Sequence, residues 1–238
     1  VIDTSNIVRL TYKAVLMKGY DLRPHLTGRA LAFVFNLDPS YKSQEFFQAT
    51  VEHLIVQVYS GNMGGDFIGI MYSLISGQLY DAYTQAWHDD GNALDMPDYL
   101  LSAEQNAVVT QQDYVQAFYN DIVDARVDQT GAPTDRAVLW ANRWNEAYND
   151  AMHQIALNTG GKEEWQLGST EDHCPTCEAL NGVVAYASEW EEAGVHTQGA
   201  PNDKLSCGGW RCDCSRVPTE KRKSPNALDT ILNAVMSV

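Results

Sequence analysis

The chain has 238 residues, of which 45% are hydrophobic, enough to bury a core in one large domain or two modest ones. Its net charge of -15 repels a nucleic-acid backbone unless positive charge is gathered locally, which disfavours general nucleic-acid binding. There is no apolar run of about 18 residues, so no membrane span is expected.

Thr4 to Gly19 reads as a first helix, with Ile7, Leu10 and Ala14 loosely periodic. Arg23 to Leu37 is ambiguous between a buried strand and a helix, and Asp38-Pro39-Ser40 breaks the chain. The sequence opens with Val1 rather than Met, which allows for further residues before it. Ser43 to Tyr59 is a clearer helix, placing Phe47, Val51, Leu54 and Val58 on one face. The connection Ser60-Gly61-Asn62-Met63-Gly64-Gly65 tolerates left-handed backbone angles. A second helix then runs from Asp66 to Trp87, with Phe67, Ile70, Met71, Leu74, Leu79, Ala82 and Ala86 inward. So short a joint predicts an antiparallel helical hairpin.

His88 to Leu101 is polar and broken by Gly91 and Pro97; Asp89, Asp90 and Asp95 lack calcium-loop spacing and read as a solvated loop. Ser102-Ala103-Glu104-Gln105 matches a capping box and predicts a helix from there to Gln129, with Tyr114, Phe118, Ile122 and Ala125 as its stripe. Thr134 or Asp135 is expected to cap the next helix, to about Asn158, whose Trp140, Trp144, Tyr148, Ala151 and Ile155 form a core-facing seam. His153 on that helix has no ligand-spaced partner along the chain.

After Gly160-Gly161 the pattern changes. Trp165 to Leu167 and Val183 to Tyr186 look like short strands, and Asn181-Gly182 is a turn signal. Ser188 to Ala193 reads as a helical turn. Ser224-Pro225 starts a final helix with Leu228, Ile231, Leu232 and Val235 on one side. Arg216, Lys221, Arg222 and Lys223 form the one basic cluster, read as a solvated stretch. The predicted class is mainly α, helical hairpins or a bundle with a small C-terminal α+β zinc-binding lobe. The expected division is residues 1–160 helical, 161–218 cysteine-rich and 219–238 a C-terminal helix.

All five cysteines lie in two short clusters: Cys174 and Cys177 in a CxxC knuckle, and Cys207, Cys212 and Cys214 in CxxxxCxC. Two cysteine turns of this kind suit a tetrahedral structural zinc site, closing the intervening chain as a loop. Disulfides and metal-free thiols are the alternatives; an odd count and no recognisable secretory signal weigh against the first. Four of the five suffice, and the choice among Cys207, Cys212 and Cys214 stays open. His173, beside Cys174, is expected to point away. Gly208 and Gly209 give the backbone room to wrap an ion.

The run from Trp165 to Gly182, containing Asp172-His173-Cys174-Pro175-Thr176-Cys177-Glu178-Ala179-Leu180-Asn181-Gly182, then Glu189-Trp190, then Leu205-Ser206-Cys207-Gly208-Gly209-Trp210-Arg211-Cys212-Asp213-Cys214, resembles the C-terminal module of tailed-phage minor head proteins. These form the Mu-F-like, or phage head morphogenesis, family, whose pattern is Cys-x-x-Cys-x-x-Leu-x-Gly, a variable loop and a closing Cys-x-Cys. Many members close with His-Pro-x-Cys-Arg-Cys; this chain has Cys207-Gly208-Gly209-Trp210 there and is similar to the subgroup with that ending. The likeness spans residues 135 to 230 or so. It implies a structural protein of the virion, assembled in the bacterial cytoplasm, associated with the portal protein and the inner face of the capsid. It further implies a role in head assembly, DNA packaging or delivery. The basic residues Arg211, Arg216 and Lys221 to Lys223 allow, against the acidic balance of the chain, at most incidental contact with packaged DNA. Other readings are a zinc-dependent hydrolase and a zinc-ribbon nucleic-acid binder. No His-x-Glu before Pro-Cys-x-x-Cys, Gly-x-Ser-x-Gly, Walker loop or His-Glu-x-x-His is present to support catalysis, so the expectation is no enzyme.

Overall fold

A computed structural model describes residues 44–169, 172–197, 202–209 and 212–236. They form α1 (Gln44–Tyr59), α2 (Asp66–Asp89), α3 (Asp98–Asp128), a 3-10 turn (Thr134–Arg136), α4 (Ala137–Thr159), β1 (Lys162–Gln166), α5 (Pro175–Leu180), β2 (Val184–Tyr186), α6 (Ala187–Ala193), β3 (Ser215–Pro218) and α7 (Ala227–Met236). The chain is therefore mainly helical with a small C-terminal lobe of strands and short helices. The expected helix at Thr4 to Gly19 and the ambiguous stretch to Leu37 lie outside the described residues. No described helix is long and apolar enough to cross a membrane.

Contacts divide the chain into two compact units. One holds the described residues up to Asp81 with Glu104–Trp144; the other holds Ala82–Ala103 with Asn145 onward. The division falls inside α2, α3 and α4. A 23-residue helix such as α4 is about 35 Å long. That exceeds the reach of one small core, so its two ends serve different ones.

In the first unit, α1 buries Phe47, Val51, Leu54, Ile55 and Val58, the face its periodicity predicts. The Phe67 ring of α2 meets Phe118 of α3 at 5.9 Å, and Phe118 meets Trp140 of α4 at 5.5 Å. The stripe of α3 is Val115, Phe118 and Ile122; Tyr114, expected inward, is 46% exposed. Val115 precedes Ile122 by two turns, whereas Tyr114 precedes it by eight residues and is rotated off that line. On α2, likewise, Ile75 is fully buried and Leu74 only partly.

Two helix starts differ from expectation. Helix α3 begins at Asp98, not at the Ser102 capping box. The Pro97 carbonyl accepts the Leu100 and Leu101 N–H groups at 3.0 Å each, while the Ser102 hydroxyl donates back to the Asp98 carbonyl at 2.8 Å. Pro97 stands just before the first helical residue, where it has no N–H to leave unpaired and its carbonyl accepts the first helical bonds, so the helix starts one turn early. Before α4, Thr134 and Asp135 lie within the 3-10 turn, with Pro133 at its N-cap and no side-chain cap.

In the second unit, β1 is the centre of an antiparallel sheet ordered β2-β1-β3. Glu163 stands opposite Ala185 on one side and Pro218 on the other; Trp165 stands opposite Arg216. Trp165 and Trp190 pack at 5.7 Å between ring centroids, within a core that includes Leu180, Val183, Ala185, Val195, Leu205 and the sulfurs of Cys177 and Cys214. Helix α7 closes this core with Ala227 and Ile231, flanked by Leu228, Leu232 and Val235. The Asn181-Gly182 signal does mark a turn, with Gly182 at φ 77° and its N–H on the Trp165 carbonyl at 2.8 Å. It ends α5, however, rather than joining two strands directly.

Candidate metal centre

The first cysteine turn is the start of a helix. Cys174 is the extended N-cap of α5, Pro175 occupies the first helical position, and the Cys177 N–H donates to the Cys174 sulfur at 3.4 Å. Proline at that position has its angle pre-set and no N–H to lose. One helical turn thus carries two sulfurs to one end of α5. The second turn depends on glycine: Gly208 and Gly209 hold φ of 65° and 77°, where a side chain would be strained. The Gly208 N–H closes on the Leu205 carbonyl at 2.7 Å, and Asn202 ties the loop to the His196 carbonyl at 2.8 Å.

A hydroxyl pair locks the two turns together. Thr176, 3% exposed, and Ser206 share a 2.8 Å hydroxyl contact. The Thr176 N–H donates to the Ser206 hydroxyl at 3.3 Å, and the Ser206 N–H donates to that of Thr176 at 3.1 Å. Each is next to a cysteine, so the staple sets the spacing of the sulfurs. The sequence singled out neither residue.

All five predicted cysteines come together, as free thiols. Cys174, Cys177 and Cys207 form one triad whose sulfurs lie within 4.8 Å of one another, and Cys177, Cys212 and Cys214 form a second. A third joins His173, Asp213 and Cys214. His173 does not point away: its Nδ1 is 3.8 Å from the Cys214 sulfur. The Cys177 and Cys212 sulfurs are 3.9 Å apart. Two thiolates on one tetrahedral zinc stand about 3.8 Å apart, so the donor set fits a thiophilic ion. The cluster can hold a metal, with soft thiolates its main ligands.

Without an ion these sulfurs crowd one another. Burial opposes ionisation of Cys174, but hydrogen bonds from Ser206 and from the backbone of Cys177 and Cys207 pull it down to about 7. The Cys177 thiol is pushed up, first by its hydrogen bond with Cys212 and then by burial. Burial raises Cys207 to about 11 and also raises Cys214. Since the thiolate is the ligand, Cys174 is the sulfur best prepared to meet a cation first.

The same unit contains a buried polar network that sequence reasoning missed. His153 is 1% exposed and Glu163 fully buried; the imidazole Nδ1 lies 2.7 Å from Glu163 Oε2 and Nε2 lies 3.2 Å from Glu191 Oε2. Arg216, expected in the basic surface cluster, is 4% exposed instead, its Nη1 4.0 Å from Glu163 Oε2. Its strand neighbour Trp165 helps to enclose it, and burial lowers its pKa against the opposing pull of Glu163. Burial and the Arg216 charge likewise hold His196 below its ordinary value. Lys221 and Lys223 are paired with Glu164 at 2.7 Å and Glu189 at 2.5 Å, which neutralises much of the remaining basic cluster. No local spacing announces this network, because Glu163 is ten residues from His153 and Arg216 is in another strand.

No family model, curated protein or solved structure matches this chain.

Proposed function

We propose that this chain is a non-catalytic structural protein of a tailed-phage head, bound to the portal and the inner face of the capsid, with its C-terminal lobe clamped by zinc. The observation that carries the clamp is the convergence of sulfurs from two turns some thirty residues apart into triads that share Cys177, with Cys177 and Cys212 at the 3.9 Å spacing of two thiolates on one ion. The motif likeness to minor head proteins supplies the biological setting. In this reading zinc neutralises the thiolates and joins the loop ends, and the lobe becomes a rigid end for the helical part of the chain. Thiolates that occupy every coordination position leave no place for a reacting water, unlike a catalytic zinc with an open site.

The test is co-expression with a portal protein, followed by pull-down and zinc K-edge absorption on the bound chain. The expected result is co-purification, dependent on zinc, with sulfur-dominated coordination and no bound water. Association that survives complete zinc removal, or a zinc with three protein ligands and a water, would overturn it. DNA retention over a salt series is expected to be weak and steeply salt-dependent.

A further inference from the structure

We propose that the cluster holds two divalent thiophilic ions, the second on Cys214, His173 and Asp213. This deepens the zinc-clamp reading and rests on it. A tetrahedral ion takes four ligands, whereas seven donors gather here: five thiols, one imidazole and one carboxylate. They do not form a single knot. Their triads make a chain, with Cys177 common to the first and second and Cys214 common to the second and third. An ion on Cys174, Cys177 and Cys207 would draw in Cys212 as its fourth ligand, whose sulfur belongs to the second triad and stands 3.9 Å from that of Cys177. Cys214, His173 and Asp213 then remain as a separate set with sulfur, nitrogen and oxygen donors. The fourth position of the second ion would fall to a bridging thiolate of the middle triad, which already shares Cys214 with this set, or to water.

Charge and geometry agree with this division. An imidazole binds in its neutral form, so the Cys214 thiolate and the Asp213 carboxylate together match the two charges of a divalent ion. The Asp213 carboxylate is also held in place from outside. The Ser169 N–H donates to Oδ2 at 2.5 Å and the Ser169 hydroxyl at 3.1 Å. Outer hydrogen bonds of this kind orient a ligating carboxylate. Gly168 allows the approach: a Cβ there would fall 2.0 Å from Asp213 Cγ. His173 adjoins Cys174, and Asp213 lies between Cys212 and Cys214, so each cysteine turn supplies both ions.

Native mass spectrometry of the full chain, produced with zinc and freed of loose metal, reads the stoichiometry. Two zinc ions per chain are expected, falling to one in the His173→Ala/Asp213→Asn double variant while its circular dichroism stays that of the parent. Cadmium NMR of the unaltered chain provides a measurement independent of the variant's folding: two resonances are expected, one of them at a mixed sulfur, nitrogen and oxygen shift. One zinc in the parent with a single cadmium resonance overturns the two-ion inference and leaves the clamp standing. Two zinc ions retained by the double variant overturn the assignment to His173 and Asp213. No zinc at all removes both this inference and the clamp.

Discussion

Cys177 and Glu163 are equally buried, at 1% and 0% exposure, yet the regions around them hold the chain by opposite means. The cysteine cluster gathers thiols that repel one another when ionised and become cohesive only with a cation among them. The His153–Glu163–Arg216 network carries its own counter-charges and coheres without a ligand. Under the proposed clamp, the first would tie the stability of the lobe to metal supply. The second ties α4, β1, α6 and β3 together through contacts among its own side chains. Polar groups thus do at two places in the second unit what Phe67, Phe118 and Trp140 do in the first by apolar contact.

The largest expected effect comes from breaking the metal side of this contrast. Chelation, or Cys177→Ser, should unfold the lobe, because structural zinc binding of about 10–16 kcal/mol is itself folding energy. The readout is loss of near-ultraviolet dichroism from the Trp165–Trp190 pair; an unchanged signal after verified metal loss would count against the clamp. Next comes Glu163→Gln, which removes the nearest counter-charge of buried Arg216, leaving the weaker pull of Asp150 and Glu191, and should cost about 3 kcal/mol in denaturant melts. The added change Arg216→Met should recover most of that loss, and neither variant should alter zinc content.

A pH titration of the metal-free protein, with its lobe kept folded by a stabilising osmolyte, separates the two regions further. Cys174 is ionised in the folded state from about 7 and in the unfolded chain only near 9. The unfolded state therefore binds more protons between those values, and stability should rise across them. Cys207 behaves in reverse: its thiol stays protonated to about 11 when folded, so stability should fall from 9 to 11. A maximum near pH 9 that disappears on zinc addition would locate the effect in the cluster. A curve unchanged by Cys174→Ser would contradict the assignment. The smallest effect is Lys221→Ala: the pair with Glu164 is short, but the lysine is 64% exposed, so the loss should stay below about 1 kcal/mol.

Much of the frame was legible in the linear chain. The periodicity of Phe47, Val51, Leu54 and Val58 identified α1 and its buried face, and the short cysteine spacings identified a cluster able to hold metal. Local chemistry misled where a second signal competed. Ser102 has the right neighbours for a cap, but Pro97 starts the helix first. Arg216 has the company of Lys221 to Lys223, but its place opposite Trp165 in β3 turns it inward.

Short-range order was thus decided by the sequence alone: where helices recur, where glycine permits a turn, and which residues can carry thiolate chemistry. These depend on residues within about one or two turns of each other, a distance the chain itself spans. Only the tertiary structure decided that His153 meets Glu163, that Ser206 meets Thr176, and that His173 and Asp213 stand beside Cys214. Those meetings join segments far apart in the chain, and their energies depend on burial, which no isolated stretch of sequence possesses.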